Sequence, residues 1–352
     1  MSEGSSLAVV STPKAASSYL GEDLVFIISP PRSGSTLLQR MIGSHSAVQT
    51  HPEPHILTPL AFQGYFYRVD KAAYNHKVAA NALREFVEEL PNGEDDYLDA
   101  CREYCRVLYG RALPVGKRFF LDKTPNYADA ILPLLPRLFP SAKYIVLTRH
   151  PLAILSSRAH TFYRGDYDLA HYTRDLLNGF VPAIARFLRD APVPALHIKY
   201  EQLATAPEQE MKRVLDYLGL GYEENCIVFG EHRHVNKSYG DPKINLHSRP
   251  VSDSINAWIS DFIGRPDRKT LCERNLASIS DADLRDFGYS RELIWQPLND
   301  VAPTIQKAKQ QPLLQSFKWR MIWAIKALTM RPPLNRLLKG IAHGCEALLR
   351  NK

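Results

Sequence analysis

The stretch LVFIISPPRSGSTLLQRMI, residues 24–42 of this 352-residue chain, decides the fold. It opens with an uncharged, largely apolar run, Leu24–Ser29, which is typical of a strand buried on both faces of a parallel sheet. Two prolines end the run, and from Thr36 onward apolar residues recur with helical spacing. A strand, a tight turn and a helix start in this order predict a site where backbone N–H groups bind an anion.

The turn carries the side chains that such an anion site needs. Arg32 supplies a forked donor with a fixed charge, and Gly34 lets the backbone approach the anion. Hydroxyl groups come from Ser33, Ser35 and Thr36. The nucleotide-triphosphatase pattern G-x-x-x-x-G-K-[ST] is not met, because its first glycine and its lysine are missing. The residues therefore favour a site for another phosphate ester over a triphosphate site, and over a turn that only caps a helix.

Three further apolar runs predict buried strands, at residues 118–122, 143–148 and 195–200. Helical patterns alternate with them, at residues 151–160 and at residues 207–218, where Gly219 is the expected C-cap. This alternation predicts an α/β protein with a P-loop-like three-layer α/β/α fold, built on a central, mostly parallel sheet.

The positive charge is concentrated in one segment. The chain carries a net charge of +7, and residues 301–352 hold ten Lys and Arg against one acid, Glu346. This tail therefore carries +9 and the rest of the chain −2. A body with that charge argues against a nucleic-acid partner.

The remaining segments suggest three parts. Residues 1–22 are expected to be flexible, residues 23–300 to form the enzyme domain with helical insertions, and residues 301–352 to form a basic amphipathic helical extension. No apolar run is long enough for a membrane span or a signal peptide. Cys101 and Cys105, one helical turn apart, are interpreted as half-buried residues in a reducing compartment. A cytoplasmic location is expected, with the tail positioned to meet a membrane surface.

A second group of candidate residues follows the predicted strands. Arg149 comes directly after strand 143–148, at the sheet edge where open α/β folds bind ligands, and Ser157 lies two helical turns further on. Lys123 and Tyr200 end two other predicted strands. An arginine with a nearby hydroxyl suits a compact phosphate dianion, so two anion elements are predicted at one edge of the sheet.

The loop Pro31-Arg32-Ser33-Gly34-Ser35-Thr36 resembles the 5'-phosphosulfate loop, P-[KR]-[SA]-G-[ST]-T, of the sulfotransferases that use 3'-phosphoadenosine 5'-phosphosulfate (PAPS). The tyrosylprotein-type and bacterial polyketide-associated branches are the most similar. The resemblance implies PAPS as co-substrate, adenosine 3',5'-bisphosphate (PAP) as product and no required metal. It implies that Arg32 to Thr36 bind the 5' end and that Arg149 and Ser157 bind the 3'-phosphate.

The resemblance also implies roles for residues around the reacting centre. Lys123, in a K-x-P element, is expected to face the sulfuryl group with Arg32. Tyr200, in a Y-E-x-L element, either closes over the nucleotide or is a packed core aromatic. A general base is useful because an acceptor hydroxyl has a high pKa. Glu53 in the segment HPEPH is the first candidate and His247 the second. His51 and His55 are weaker alternatives for the base, and Lys237 and Lys243 are weak candidates for the 3'-phosphate.

Several interpretations stay open at this stage. The acceptor is a hydroxylated small molecule or lipid, a carrier-bound chain, a sugar or a peptide tyrosine. No Trp follows the loop and no late R-K-G element occurs, so the adenine contact is unassigned. A P-loop kinase or other nucleotide-dependent phosphotransferase is the alternative activity, and a catalytically silent nucleotide-binding protein is a third.

Overall fold

Five parallel strands form the central sheet in the order β2-β3-β1-β4-β5. The computed structural model describes residues 19–65, 74–125, 131–168, 170, 176–229 and 247–301. The strands are β1 Leu24–Ile28, β2 Val48–Pro52, β3 Phe119–Lys123, β4 Lys143–Thr148 and β5 Ala195–Lys199. The apolar run that decides the fold thus becomes the middle strand, as its complete burial requires.

The edge strand β2 was not expected from the sequence, which predicted four strands where the structure has five. It pairs with β3 in parallel register, from Val48 opposite Phe119 to Pro52 opposite Lys123. The middle residues of β2 are polar, namely Gln49, Thr50 and His51. The sequence therefore has no apolar run from which this strand could be predicted. Pro52 is tolerated because it ends a strand at the border of the sheet.

Helices pack on both faces of the sheet. They are α1 Ser35–Gly43, α2 Leu57–Ala61, α3 His76–Glu88, α4 Glu94–Ala112, α5 Leu135–Leu138, α6 Pro151–Tyr163, α7 Leu176–Asp190, α8 Tyr200–Thr205, α9 Pro207–Leu218, α10 Pro266–Ala277, α11 Asp281–Asp286, α12 Arg291–Ile294 and α13 Gln296–Asn299. Short 3-10 helices occupy Glu224–Cys226 and Ala257–Asp261. Gly219 caps α9 in the left-handed conformation, as predicted.

Two apolar clusters cover the two faces. Phe26, Phe120 and Tyr144 point to one side, where α4, α6 and α7 pack. Val25 and Ile145 point to the other side, where α1 and α9 pack. Alternate strand residues thus bury opposite faces, which confirms the predicted three-layer α/β/α fold.

The helical insertion and the termini complete the comparison with the prediction. The predicted helical insertion covers residues 60–115; α3 and α4 lie within it, and α2 overlaps its start. Cys101 and Cys105 are buried free thiols on α4. No helix in the described part of the chain is long and apolar enough to cross a membrane. Residues 1–18 and 302–352, and with them the predicted basic extension beyond Val301, lie outside the described residues.

Candidate functional site

The loop after β1 is held in an uncommon backbone conformation. Arg32 has a φ of 72° and Gly34 a φ of 88°, and the N–H of Ser33 donates to the carbonyl of Pro30. A positive φ at a non-glycine residue costs on the order of 1–3 kcal/mol and persists where surrounding contacts enforce it. Gly34 then begins α1 without a side-chain cap, so the first-turn N–H groups point toward whatever lies in front of the helix.

Gly34 and Tyr200 are in direct contact. A Cβ built on Gly34 would lie 2.3 Å from Cδ2 of Tyr200, which no packed atom pair permits. Tyr200 is the first residue of α8, follows β5 directly and is buried. Its hydroxyl lies 2.5 Å from the Oγ of Ser254, which precedes the 3-10 helix Ala257–Asp261. Tyr200 is thus a packed core aromatic that also borders the loop, and its expected role in closing over the nucleotide stays a prediction.

Arg149 joins the loop to the neighbouring strand. It leaves the carboxyl end of β4, and its Nη1 donates to the carbonyl of Arg32 at 3.0 Å. Its Nη2 donates to the carbonyl of Ser254 at 2.8 Å, and its guanidinium lies 4.3 Å from the ring centroid of Tyr200. Its Nε is buried without a hydrogen-bond partner. Burial lowers the pKa of Arg149, so this cation is held in a place that an anion would stabilise.

Ser157 lies on α6, with its Oγ accepting a hydrogen bond from Nε of Arg32 at 3.1 Å. The same arginine has its guanidinium 5.9 Å from the ring centroid of Phe162, further along α6. The two anion elements found in the sequence are therefore in contact twice, through Arg149 with the Arg32 carbonyl and through Arg32 with Ser157.

These residues line one cavity of about 530 Å³. Of the residues singled out in the sequence, the cavity wall contains Arg32, Gly34, Ser35, Thr36, Arg149, Ser157, Tyr200 and His247. Ser33 is not on the wall. This loop residue is fully buried, and its Oγ has no hydrogen-bond partner. A cavity with three arginines, Arg32, Arg149 and Arg249, several hydroxyls and a helix N-terminus is suited to a ligand with separated anionic groups.

Glu53 and Lys123 form a buried ion pair beside this cavity. The Nζ of Lys123 lies 2.8 Å from Oε1 of Glu53 and 3.4 Å from Oγ1 of Thr36. Lys123 has no exposed surface, and Glu53 follows the edge strand β2 with a φ of 40°. Neither residue lines the cavity, so Thr36 is the residue through which this pair adjoins it.

His247 lies on the cavity wall and is fixed through its backbone. Its carbonyl accepts a hydrogen bond from Nη1 of Arg40 on α1 at 3.0 Å. The Nη2 of Arg40 donates to the carbonyl of Phe229 at 3.2 Å, and the guanidinium lies 4.5 Å from the Phe229 ring centroid. Of the two candidate bases, His247 thus lines the cavity, whereas Glu53 is paired with Lys123 and is not among the lining residues.

Two of the weaker candidates, His51 and His55, are not on the cavity wall. His51 is exposed on β2, and Nδ1 of His55 lies 3.2 Å from the Thr58 hydroxyl. Neither is among the lining residues. Lys237 and Lys243 lie outside the described residues.

Sequence reasoning missed several cavity residues. Ser254 belongs to no recognisable motif, and Trp258 lies in the 3-10 helix Ala257–Asp261. Trp258 is almost fully buried and stacks on His150 with ring centroids 4.6 Å apart. His160 follows Ser157 by three residues, so helical spacing was enough to place it on the same face.

Fold and site together define an α/β protein with an uncapped helix start after its central strand and an arginine-lined cavity at the carboxyl edge of its sheet. A sequence model described as the sulfotransferase family matches residues 24–224. The chain belongs to the sulfotransferase family. This confirms the sequence-based prediction of a sulfotransferase.

Relatives cover most of the chain at low identity. Nodulation protein NoeE of Sinorhizobium fredii is 28% identical over 298 residues, which are 77% of this chain and 67% of NoeE. Protein-tyrosine sulfotransferase 2 of Gallus gallus is 24% identical over 259 residues, which are 68% of this chain and 64% of that protein. The matches thus span about two thirds of these two relatives' own length.

Similar solved structures include two sulfotransferases. The sulfotransferase domain of the Synechococcus PCC 7002 olefin synthase has a TM-score of 0.48 at 24% identity, covering 73% of this chain and 95% of that domain. A mouse sulfotransferase complexed with PAP has a TM-score of 0.44 at 15% identity, covering 77% of this chain and 91% of that chain.

Proposed function

We propose that this protein transfers the sulfuryl group of PAPS to an acceptor hydroxyl, and that the cavity described above binds the nucleotide. The observation that carries the proposal is the hydrogen bond from Arg149 to the Arg32 carbonyl, because it makes one site of two anion-binding elements. A donor with a phosphosulfate at one end of its ribose and a phosphate on the same ring matches such a site.

The residues fit this donor. The uncapped N-terminus of α1 supplies N–H groups for the phosphosulfate, and the hydroxyls of Ser35 and Thr36 lie in the same wall. We assign Arg149 and Ser157 to the 3'-phosphate. The unpartnered Nε of Arg149 is the buried donor that this group would satisfy. Tyr200 supports both ends through its contacts with Gly34 and Arg149.

The transfer step needs positioning and charge stabilisation more than covalent chemistry. The acceptor oxygen forms a bond to sulfur while the bond from sulfur to the 5'-phosphate oxygen breaks, and the acceptor proton passes to a base. The products are a sulfate ester and PAP, whose 5'-phosphate carries the charge of the broken bond. Lys123, next to Thr36, and Arg32 are assigned to stabilise that charge.

Glu53 is assigned as the base and His247 as the second candidate. The Oε1 of Glu53 is held by Lys123, so the carboxylate has a fixed direction and Oε2 is the oxygen we assign to accept the proton. Lys123 then contacts both the assigned base, Glu53, and Thr36 of the phosphosulfate loop. One cation thus connects the group that accepts the proton with the loop assigned to the phosphosulfate.

The candidate acceptors are a hydroxylated small molecule, a lipid, a carrier-bound chain, a sugar and a peptide tyrosine. One relative acts on protein tyrosine by its name, and one similar structure is a domain of an olefin synthase. Both are consistent with a hydroxyl acceptor delivered to the same kind of site.

The test is transfer of radiolabelled sulfate from PAPS to a panel of hydroxyl compounds, tyrosine peptides and cell extracts. We expect a labelled product that requires Arg149. Arg149→Ala is the informative variant and Arg285→Ala, an exposed arginine on α11, is the matched control. Magnesium-dependent transfer from ATP with no transfer from PAPS would instead identify the phosphotransferase alternative.

A further inference from the structure

Helix α6 presents more than Ser157 to the cavity. Ser156, Ser157, His160 and Thr161 all line it, so one helix face borders the proposed nucleotide site for two turns. His160 lies one turn beyond Ser157, in the last turn of α6, and about half of its side chain is exposed. The C-terminal end of a helix favours a cation.

His160 is held by a carboxylate from another element. Its Nε2 lies 2.8 Å from Oδ1 and 2.9 Å from Oδ2 of Asp261, at the end of the 3-10 helix Ala257–Asp261. Asp261 also accepts hydrogen bonds from the hydroxyls of Ser156, at 2.6 Å, and Tyr167, at 2.8 Å. The side chain of Asp261 is only 12% exposed, so the surrounding structure fixes the position of this carboxylate.

These contacts fix the charge of the carboxylate. Burial alone would raise the pKa of Asp261, but hydrogen bonds from His160, Ser156 and Tyr167 lower it overall. Asp261 is therefore an anion at neutral pH. It requires Nε2 of His160 to carry a hydrogen, and it stabilises the protonated imidazole ring.

Cations that line the same cavity, or that approach Asp261, disfavour protonation of His160 when no anion is bound. Arg268 of α10 lies 3.8 Å from Asp261 and competes for its charge. Arg32, Arg149 and Arg249 border the same cavity, and His247 is a second titratable group on its wall. The phosphates of a bound nucleotide would neutralise these cations. Nucleotide binding and protonation of His160 thus favour each other.

We infer that His160, oriented by Asp261, lines the nucleotide cavity with a charge that depends on pH. Its imidazole ring takes up a proton when the bisphosphate nucleotide binds. The inference rests on the proposed function, because it requires a multiply charged anion in this cavity. Its consequence is that nucleotide affinity falls as the pH rises and the ring loses its proton.

The experiment is calorimetric titration of the full chain with PAP between about pH 6 and pH 8.5. His160→Gln keeps the size and hydrogen bonding of the side chain without the titration, and His160→Lys keeps a cation throughout this range. His76→Gln, on the surface helix α3, is the control. Comparison with the unaltered protein removes the pH dependence that comes from the phosphates and from His247.

We expect His160→Gln to bind PAP about tenfold more weakly at pH 6, which corresponds to about 1.4 kcal/mol, and equally at pH 8.5. His160→Lys is expected to keep its affinity at pH 8.5. Titration in two buffers of different ionisation enthalpy should show proton uptake that His160→Gln lacks. Equal affinity and equal pH dependence in His160→Gln and the unaltered protein would overturn the inference alone. Absence of PAP binding to the unaltered protein would overturn the proposed function as well.

Discussion

The guanidinium of Arg149 donates a 3.0 Å hydrogen bond to the backbone carbonyl of Arg32. This contact ties the end of β4 to the loop after β1 and helps to hold Arg32 at its positive φ. The conformation of the loop and the position of the Arg149 side chain therefore depend on each other.

Gly34→Ala should abolish nucleotide binding. The added methyl group would meet the Tyr200 ring at 2.3 Å, and the φ of 88° is already unfavourable for alanine. We expect PAP affinity to fall by more than a hundredfold, measured by calorimetry. Gly116→Ala is the matched control, because Gly116 also has a positive φ of 89° but nothing within 4 Å of a built Cβ. A similar loss of binding in both variants would show that the contact with Tyr200 is not the cause.

Glu53→Gln should lower kcat by about 10²- to 10⁴-fold, the range of general-base catalysis, and leave PAP affinity unchanged. Glutamine keeps the shape and can still accept a hydrogen bond from Lys123. His247→Gln tests the second candidate in the same assay. A larger loss of kcat in His247→Gln than in Glu53→Gln would reverse the assignment of the base.

Arg40→Lys should impair catalysis without weakening the nucleotide site. Lysine cannot donate to the carbonyls of Phe229 and His247 in the forked geometry of arginine, so one buried carbonyl loses its partner. We expect the free energy of unfolding to fall by about 1–3 kcal/mol. The assays are denaturant unfolding and steady-state kinetics. If kcat falls only in proportion to the folded fraction, Arg40 has a role in stability but none in placing His247.

Acid should destabilise the protein through His150. Burial lowers the pKa of His150 to about 4. An unfolded histidine takes up its proton below about pH 6.5. Between these values the unfolded chain binds a proton that the native state excludes, so stability falls by about 1.4 kcal/mol per pH unit as the pH decreases.

The variant His150→Gln should lessen that pH dependence, measured by urea unfolding at several pH values. His76→Gln, at a half-buried position at the start of α3, is the control and should not change it. An unchanged slope in His150→Gln would show that other groups control the acid response. The buried Nε2 of His150 lies 3.1 Å from the Ile294 carbonyl, so some loss of stability at neutral pH is also expected.

Much of the sheet could be predicted because its buried strands are apolar throughout. Leu24–Ile28 and Lys143–Thr148 appear where the sequence indicates, as does the capped helix Pro207–Leu218. Strand β2 could not be found in this way, since an edge strand with a polar middle has no such pattern. Its absence from the prediction also left Glu53 without a structural context, although that residue directly follows it.

The site was predictable to the extent that its residues follow strand ends. Arg32, Arg149 and Tyr200 each leave the carboxyl end of a parallel strand, and parallel strands bring those ends to one edge. The backbone carbonyl of Ser254 accepts a hydrogen bond from Arg149, and Arg40 donates one to the carbonyl of His247, each between residues more than one hundred positions apart. Such contacts depend on tertiary packing, which neither spacing nor composition encodes.

The central claim is tested most directly by calorimetric titration of the unaltered chain, Arg149→Ala and Arg285→Ala with adenosine 3',5'-bisphosphate, alongside its 2',5' isomer. The account predicts one site that binds the 3',5' isomer more tightly than the 2',5' isomer. It predicts that Arg149→Ala loses this binding and that Arg285→Ala keeps it. No binding of the 3',5' isomer to the folded, unaltered protein, or equal binding by Arg149→Ala, would contradict it.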